Sequence, residues 1–267
     1  MLLKGKTILL TGASGGVGTE LVKELLKKEA RVIAVSRNID GVLKLRDELN
    51  VGERLIAYSV DVSKKEAVFK AVEDMASSGL VIDGIINNAG IIQPFIDVND
   101  LSWEKIEQVM NVNFYGQLYF IKALLPELLK RPEAHILNIG SMGGFLPVPG
   151  QVVYGASKAA VRLLSEGLYA ELKDTQVKVT VVMPGGINTD IAKRSGVEVG
   201  SGAEDSAAAK ILLSPNKAAL LIINAMEKNK LSVKIGKDSN IFFFLYKHFP
   251  KFAINTITKF MKANKTH

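Results

Sequence analysis

Cysteine is absent from this sequence, and histidine occurs only three times in 267 residues. The first absence excludes disulfides and thiol catalysis, and it is typical of a cytosolic protein. His135, His248 and His267 lie far apart and in no ligand spacing, which disfavours a histidine metal site or a Ser-His-Asp triad. Apolar runs long enough to span a membrane are also missing, and no signal peptide follows Met1. We therefore expect a cytoplasmic protein that holds no metal.

Acidic residues are absent after Asp238, although the whole chain contains 27 of them. The net charge of +7 and the isoelectric point near 9.3 therefore owe much to the C-terminal tail. Five lysines supply the surplus there: Lys247, Lys251, Lys259, Lys262 and Lys265. Because no helix-turn-helix, zinc-finger or RNA-binding signature accompanies this charge, we expect no nucleic-acid partner.

Short apolar segments of strand length alternate with segments of helical periodicity along most of the chain. The pattern predicts strands at residues 7–11, 31–36, 55–58, 82–87, 135–139, 178–183 and 232–235. It predicts helices at 16–28, 40–50, 64–77, 102–129 and 152–173, and another that begins at Ser214-Pro215. Such alternation indicates βαβ units and a doubly wound parallel sheet. We expect one α/β domain over residues 1–238, a lid near 185–214 and a helical tail at 239–267.

Glycines crowd the junction between the first predicted strand and helix, where residues 11–18 are Thr-Gly-Ala-Ser-Gly-Gly-Val-Gly. They let the backbone turn tightly and approach a pyrophosphate, whose charge a helix N-terminus stabilises. Tight turns also use glycine, but the flanking strand and helix favour dinucleotide binding. The next strand ends in Ser36-Arg37 with no acidic residue, which favours NADP(H) over NAD(H). The alternative is that Arg37 is simply a solvated residue at the strand end.

Tyr154 and Lys158 lie four residues apart on a predicted helix, with Ser141 thirteen residues before the tyrosine. Side chains at this spacing share a helix face, so the lysine charge is expected to lower the pKa of the tyrosine by about 1–3 units. The pair would then serve as a proton donor or acceptor with a hydroxyl partner nearby. Because Tyr-x-x-x-Lys also occurs by chance in many helices, the assignment depends on the rest of the chain.

The glycine, asparagine and tyrosine motifs together resemble those of the short-chain dehydrogenase/reductase family. The resemblance covers about residues 5–236 and rests on Gly12, Gly16, Gly18, Asn87-Asn88-Ala89-Gly90, Asn113, Ser141, Tyr154, Lys158 and Pro184-Gly185. It implies a Rossmann-type sheet of seven strands in the order 3-2-1-4-5-6-7. It also implies an NAD(P)-dependent oxidoreductase of carbonyl compounds and alcohols, assembled as a homodimer or homotetramer through the helices at 102–129 and 152–173.

By the same resemblance, four residues are catalytic: Asn113, Ser141, Tyr154 and Lys158. The cofactor-binding residues that it implies are Gly12, Ser14, Gly16, Val17, Gly18, Ser36, Arg37, Asp61, Val62, Asn88, Ala89, Gly90, Tyr154, Lys158, Pro184, Gly185, Ile187 and Thr189. Asp61 and Val62 would hold the adenine, Thr189 would contact the nicotinamide carboxamide, and Asn113 would anchor a water in a proton relay. Asp61 could instead lie in a turn that begins a helix, and Asn113 could be a buried polar group. NADP-preferring members of the family often carry a basic residue at the position of Gly15, and this chain does not.

The implied reaction is hydride transfer from NADPH to a carbonyl, with Tyr154 donating the proton and Ser141 binding the carbonyl oxygen. Lys158 would lower the pKa of Tyr154 and bind the nicotinamide ribose. We expect an apolar substrate in a pocket lined by residues 91–95, residues 142–153 and the lid. The lining residues would be Met142, Phe145, Leu146, Val148 and Val152, with Gln93 and Gln151 as polar candidates. Alternatives are an NAD-dependent alcohol dehydrogenase, a 3-oxoacyl reductase acting on lipid-like substrates at a membrane, and a nucleotide-sensing protein without catalysis.

The basic tail contains an apolar stripe at helical spacing. The stripe comprises Ala253, Ile254, Ile257, Phe260 and Met261, and the opposite side carries Lys251, Asn255, Lys259 and Lys262. A basic amphipathic helix of this kind can lie on an anionic membrane surface. Alternatively, its apolar face packs on the substrate pocket or on a neighbouring subunit, which is the interpretation that we prefer.

Overall fold

Seven parallel strands form one sheet in the part of the chain that the structure describes. The computed structural model describes residues 1–197 and 212–263. Its strands are β1 (Thr7–Thr11), β2 (Arg31–Ser36), β3 (Leu55–Ser59), β4 (Gly84–Asn87), β5 (Ala134–Ile139), β6 (Val177–Pro184) and β7 (Ser232–Ile235). Their order is β3-β2-β1-β4-β5-β6-β7, which confirms the predicted fold. The order reverses between β1 and β4, and sheets of this type bind ligands there, beyond the carboxyl ends of the strands.

Helices cover both faces of the sheet. They are α1 (Gly16–Lys27), α2 (Asp40–Glu48), α3 (Lys65–Ser77), α4 (Trp103–Met110), α5 (Gly116–Leu128), α6 (Val152–Glu171), α7 (Ile191–Arg194), α8 (Pro215–Glu227), α9 (Lys237–His248) and α10 (Pro250–Ala263). α1, α2 and α8 contribute to the core on one face, and α3, α5 and α6 contribute to the core on the other. None of the described helices combines the length and the hydropathy that a membrane span requires.

The strand β1 shows why the central strands are continuous apolar runs. Ile8 and Leu10 point into the core on the side of α1 and α8, whereas Leu9 points into the core on the side of α3 and α5. All three side chains are fully buried. Since helices cover both faces of a parallel sheet, every position of a central strand is buried, and alternation of polar and apolar residues is lost.

The helix predicted at residues 102–129 is interrupted by a π-helical segment, Asn111–Tyr115, between α4 and α5. Ser102 begins α4 as its N-cap, and its hydroxyl accepts the backbone N–H of Lys105. At the start of α5 an added Cβ on Gly116 would lie 2.9 Å from the carbonyl oxygen of Val62, so the helix approaches the end of β3 closely. π-helical turns are frequent at functional sites, and this one contains Asn113.

Two buried asparagines join the sheet to α6. Asn87 and Asn138 are register partners on β4 and β5, and the Asn87 amide donates to Asn138 Oδ1 at 2.9 Å. The Asn138 amide donates in turn to the Ser165 hydroxyl of α6, also at 2.9 Å. Buried polar groups of this kind are costly unless they are paired, so the network favours one placement of α6 against the sheet. α6 also carries Tyr154 and Lys158.

The apolar stripe of the tail packs on the protein. Ala253 and Ile257 of α10 are buried in a cluster with Phe145, Leu146 and Met183. Phe145 and Leu146 were expected to line a substrate pocket, and this expectation is wrong because α9 and α10 cover them. The stripe therefore packs on the chain's own residues after Ser141, and its packing on the substrate pocket or on a neighbouring subunit stays a prediction. Lys265 and His267 lie outside the described residues.

The predicted lid at residues 185–214 is described only in part, because residues 198–211 lie outside the described residues. Its two described ends meet: the Leu213 amide donates to Gly186 O at 2.9 Å, and the Asn188 amide donates to Leu213 O at 3.0 Å. At the far end, α8 begins at Pro215 with Ser214 as its N-cap, as predicted. The lid function itself stays a prediction.

Candidate active site

The glycine-rich loop after β1 is bound to the loop after β4. The Asn88 side chain donates to the carbonyl oxygens of Thr11 and Gly12, at 3.0 and 3.1 Å. The Thr11 hydroxyl accepts the backbone N–H groups of Asn88 and Ala89, both at 3.0 Å. Gly12 has a φ of +67°, and an added Cβ would lie 2.9 Å from Ala89 Cα. The two loops therefore meet backbone to backbone at the point where the strand order reverses.

The first turn of α1 is shaped by glycine. An added Cβ on Gly18 would overlap the carbonyl oxygen of Gly12, so only glycine fits there. Gly15 is the N-cap residue, and no side chain caps the helix. Thr189 lies above this turn, with its Cγ2 3.2 Å from the Cβ that Gly16 would carry. The loop, the uncapped helix N-terminus and Thr189 together form the cradle that a pyrophosphate fits.

Polar groups gather at the end of β2. The hydroxyl oxygens of Ser14 and Ser36 lie 2.6 Å apart, which joins the glycine-rich loop to that strand. Arg37 follows and is exposed, and among the described residues it forms no ion pair with a carboxylate. The Asn38 side chain accepts the backbone N–H of Asp40 at 2.8 Å and so begins α2. Two hydroxyls and a guanidinium are donors that suit a phosphate group.

Asp61 lies where β3 ends and α3 approaches. Its Oδ1 accepts both the backbone N–H of Ser63, at 3.0 Å, and the Ser63 hydroxyl, at 2.7 Å. These bonds form the turn that leads into α3, which was the alternative interpretation of this residue. They occupy only one carboxylate oxygen, so Oδ2 retains its capacity to accept a hydrogen bond.

Ser141, Tyr154 and Lys158 come together beyond the carboxyl end of β5. Ser141 follows that strand and its Oγ accepts the Gly143 amide at 3.0 Å. The Ser141 side chain also hydrogen-bonds Tyr154. Lys158 is buried one turn further along α6, and its Nζ donates to the backbone carbonyl of Ile139 at 2.9 Å. The three side chains therefore share one region, as predicted.

The backbone of the turn after Ser141 lies directly on α6. An added Cβ on Gly144 would lie 2.8 Å from the carbonyl carbon and oxygen of Lys158. An added Cβ on Gly155 would lie 2.9 Å from the carbonyl oxygen of Gly143. These two glycines permit an approach that side chains would block, and the approach brings Ser141 to Tyr154.

The expected lowering of the Tyr154 pKa by Lys158 is wrong for this structure. Burial raises the pKa of Tyr154 above its ordinary value of 10.0, and the hydrogen bond from Ser141 offsets this only in part. Burial also lowers the pKa of Lys158, from 10.5 to about 8. The cause is burial, which disfavours the charged form of each group, and the lysine ammonium is bonded to the Ile139 carbonyl.

Asn113 is fully buried, and its side chain is bonded to protein at both ends. Its Oδ1 accepts the Ile91 amide at 2.9 Å, and its Nδ2 donates to Ile91 O and to Ser157 Oγ, each at 3.0 Å. It lies close to Lys158: a Cβ on Gly90 would be 3.4 Å from Asn113 Oδ1 and 3.3 Å from Lys158 Nζ. The buried polar role that we considered is thus present, and a role in a relay would use the backbone of Asn113.

Gln93 and Gln151 were expected as polar contacts of the substrate, and the structure gives them another role. The Gln93 side chain donates to Gly150 O at 2.9 Å and accepts the backbone N–H of Tyr154, also at 2.9 Å. The Gln151 side chain donates to Gln93 O at 2.7 Å. Both are buried, so they hold the start of α6 against the loop after β4. Sequence reasoning missed that Gln93 positions Tyr154.

The segment Pro184–Thr189 is held by the start of α9. Asp238 Oδ2 accepts the Gly186 amide at 2.7 Å, and the Ser239 hydroxyl donates to Met183 O at 2.8 Å. Pro184 is the last residue of β6, and the amide of Gly185, which follows it, donates to Ile235 O at 2.8 Å. Asp238 was noted in the sequence only as the last acidic residue. Its partner is 52 positions away, and no local pattern indicated the contact.

His135 lies at the amino end of β5, whereas the residues described above lie beyond the carboxyl ends of the strands. Its Nε2 is 2.8 Å from the Thr180 hydroxyl, and burial lowers its pKa to about 3. It is therefore a neutral residue of the core, distant from the residues described above.

A family model of the short chain dehydrogenases matches residues 6–199. The chain belongs to this family. SadH of Mycobacterium tuberculosis, an oxidoreductase by name, is 32% identical over 243 residues, which is 88% of each chain. The NADP-dependent 3-hydroxy acid dehydrogenase YdfG of Escherichia coli is 34% identical over 178 residues, 67% of this chain and 71% of YdfG.

Solved structures of short chain dehydrogenases agree with the fold. The structure of a short chain dehydrogenase from Burkholderia cenocepacia in complex with NADP superposes with a TM-score of 0.80 at 25% identity, over 96% of this chain and 99% of that one. The family membership, the oxidoreductase class and the sheet of seven strands are therefore established together.

Proposed function

We propose that this short chain dehydrogenase interconverts a carbonyl compound and an alcohol with NADP(H). The observation that carries the proposal is the cluster of Ser141, Tyr154 and Lys158, next to the glycine-rich loop at the carboxyl edge of the sheet. A hydroxyl, a phenol and a buried ammonium are the groups that a proton transfer to a carbonyl oxygen needs.

The residues at the sheet edge fit a dinucleotide. Gly12, Gly16 and Gly18 leave the space that added Cβ atoms would fill, and they precede an uncapped helix N-terminus. In this proposal the pyrophosphate lies there, and Asp61-Val62 and Asn88–Gly90 flank the adenine and the nucleotide cleft. Pro184-Gly185, Ile187 and Thr189 flank the nicotinamide. Val17 lies in the same first turn of α1.

The end of β2 favours the phosphorylated cofactor. Two hydroxyls and a guanidinium, from Ser14, Ser36 and Arg37, stand where an NAD-binding site would carry a carboxylate, and the guanidinium forms no ion pair within the described part of the chain. YdfG is named NADP-dependent, and the Burkholderia cenocepacia protein was solved with NADP. This chain lacks a basic residue at Gly15, so Arg37 and the hydroxyl pair take that role here.

The raised pKa of Tyr154 keeps its phenol protonated near neutral pH, ready to donate to a carbonyl oxygen. A bound NADPH would supply the hydride to the carbonyl carbon. The Ser141 hydroxyl donates to the same oxygen, and the Lys158 ammonium stabilises the negative charge that develops as the proton moves. With a pKa of about 8, Lys158 is largely charged at neutral pH. These protonation states favour reduction near pH 7, and oxidation would require the phenolate that forms at higher pH.

Asn113 contributes its backbone carbonyl group to the proposed proton relay. Its side chain is bonded to Ile91 and Ser157, so a water would be bound by its carbonyl oxygen. The π-helical segment around it changes the hydrogen-bond register of the backbone, which is how carbonyl groups in helices become available.

Replacement of Tyr154 by phenylalanine tests the mechanism. Tyr154→Phe removes the donated proton, so the rate of NADPH-dependent ketone reduction should fall at least about a hundredfold. Binding of NADPH, measured by calorimetry, should remain. The matched control is Tyr169→Phe, which removes a half-exposed phenol on the same helix and should retain full activity. Retention of more than a tenth of the activity in Tyr154→Phe would refute the assignment.

Cofactor choice is tested by Arg37→Gln. The variant should raise the KM for NADPH about tenfold or more, because a charge-assisted hydrogen bond to the phosphate is lost. The KM for NADH should change little. Arg46→Gln is the control, since Arg46 is a partly exposed arginine of α2 that pairs with Asp47. Equal changes for both cofactors would show that Arg37 does not distinguish them.

The substrate class is proposed as an apolar carbonyl compound, and 3-oxoacyl compounds are the second candidate. The first follows from the sequence, where the segments expected around the pocket, residues 91–95 and 142–153, are mostly apolar. The second follows from YdfG and from a 3-ketoacyl-(acyl-carrier-protein) reductase of Brucella melitensis, whose structure has a TM-score of 0.77 at 27% identity. NADPH consumption with ketones, aldehydes, 3-oxo acids and 3-oxoacyl thioesters distinguishes them.

A homodimer or homotetramer is proposed through α4, α5 and α6. These helices expose large apolar side chains, with Trp103 at 73% and Leu163 at 71% exposure. Tyr115 of the π-helical segment is also exposed and stacks on Tyr119 of α5. Leu163→Asp should convert the oligomer into monomers in light-scattering measurements, and an unchanged mass would place the interface elsewhere.

A further inference from the structure

Four large apolar side chains on α9, on α10 and at the residue between the two helices are more than half exposed. They are Ile241, Phe244, Phe249 and Phe252, with exposures of 58, 59, 56 and 60%. The rings of Phe244 and His248 are 4.7 Å apart, and those of His248 and Phe249 are 6.5 Å apart. Ile241 precedes Phe244 by three residues on α9, so it lies on the same face. We call these four side chains the C-terminal patch.

The C-terminal patch is distinct from the apolar stripe that the sequence indicated. Part of the stripe faces inward, because its members Ala253 and Ile257 are buried against Phe145 and Leu146, whereas Phe260 is 49% exposed. All four members of the patch are more than half exposed. Soluble proteins seldom expose several large apolar side chains together unless the surface binds something.

Exposed lysines lie on the same two helices as the C-terminal patch. They are Lys237, Lys247, Lys251 and Lys259. Among the described residues, none of these four lysines forms an ion pair. The chain has no acidic residue after Asp238, and the Asp238 carboxylate is bonded to the Gly186 amide. The exposed charges that α9 and α10 themselves contribute among the described residues are therefore positive.

This combination selects among binding partners. A second copy of the chain would bring lysines against lysines at an isologous interface, which is electrostatically unfavourable. An anionic bilayer offers negative headgroups to the lysines and an acyl boundary to the phenylalanines. We propose that the C-terminal patch binds the surface of an anionic lipid bilayer. The proposal does not depend on the catalytic assignment.

The test is vesicle flotation with the full chain. Vesicles of phosphatidylcholine alone are compared with equimolar phosphatidylcholine and phosphatidylserine. The protein should float with the anionic vesicles, and added salt should weaken this binding because it screens the lysines. Phe244→Ser with Phe252→Ser should weaken binding about tenfold or more, since both rings lose their burial in the interface. Lys247→Gln and Lys251→Gln should weaken it about fivefold each.

A matched control tests whether loss of any exposed phenylalanine, and not only one of the C-terminal patch, weakens vesicle binding. Phe69→Ser removes a phenylalanine of α3 that is 38% exposed, and vesicle binding should not change. NADPH binding and thermal unfolding confirm that each variant is folded. Absence of binding to anionic vesicles, or binding that the patch variants do not weaken, overturns the proposal. So does a dimer that Phe244→Ser dissociates, because the patch would then be an interface between copies.

Discussion

Replacement of Lys158 by methionine should change how stability depends on pH. Burial lowers the pKa of Lys158 in the folded protein from 10.5 to about 8. Well below pH 8 the lysine is charged in both the folded and unfolded states, and the folded state bears the cost of burying that charge. As the pH rises, the folded state loses this proton first. The free energy of unfolding therefore increases until the unfolded lysine also titrates near 10.5.

The size of this effect follows from the two pKa values. The difference between 10.5 and about 8 is 2.5 units, which corresponds to about 3 kcal/mol when the titration is complete. Between about pH 7.5 and about pH 9.5 the expected gain is about 2 kcal/mol. Methionine has a similar length and no charge, so Lys158→Met should lack this gain while keeping the packing of α6.

Urea unfolding of both proteins, without cofactor, at these two pH values measures the prediction. Because other groups titrate in both proteins, the quantity to compare is the difference between wild type and variant. Lys122→Met is the control, since Lys122 is an exposed lysine of α5 and its loss should not alter the pH dependence. A difference between wild type and Lys158→Met that stays constant from low to high pH would refute the argument that burial destabilises the charge.

Three further changes have expected outcomes. Gly18→Ala should abolish NADPH binding and lower the melting temperature, because a methyl group would overlap the loop carbonyl, whereas Gly41→Ala meets no atom within 4 Å and should be neutral in both assays. Asp83→Ala should reduce the urea-measured free energy of unfolding by about 2–3 kcal/mol, because it leaves Arg131 and a buried amide unpaired. Asp238→Ala should raise the KM for NADPH more than it lowers kcat, and asparagine there should restore part of the loss because it still accepts a hydrogen bond.

The strands of the sheet could be predicted because each is specified by a short run of neighbouring residues. Runs such as residues 7–11 are apolar at every position, and turns and helices separate them at regular intervals. The same holds for the glycine-rich loop and for the spacing of Tyr154 and Lys158, which lie within one element each. The strand order came from the resemblance to a family.

The π-helical segment could not be predicted from periodicity. Its shift from four-residue to five-residue hydrogen bonding is small, and the apolar pattern of α4 and α5 continues across it. The contacts of Gln93, Gln151 and Asp238 could not be predicted either, because their partners lie 52–61 positions away in the sequence. A polar residue in an apolar loop looks the same whether it meets a substrate or a distant backbone.

The pKa prediction failed for a related reason. Spacing on a helix places Tyr154 and Lys158 on one face, but it does not say what else the ammonium binds or how much water remains. The carbonyl oxygen of Ile139 comes from the neighbouring strand β5, and burial acts on both groups in the direction opposite to the charge effect.

The contact between the turn at Gly143-Gly144 and α6 separates the geometry of Ser141 and Tyr154 from the side chains that surround them. The approach of Ser141 to Tyr154 depends on backbone atoms of the turn and of Lys158, and on the absence of side chains at Gly144 and Gly155. Neighbouring side chains such as Met142 take no part in that contact. Substitution of these side chains is therefore expected to change which substrate fits while the backbone contact that positions Ser141 is kept.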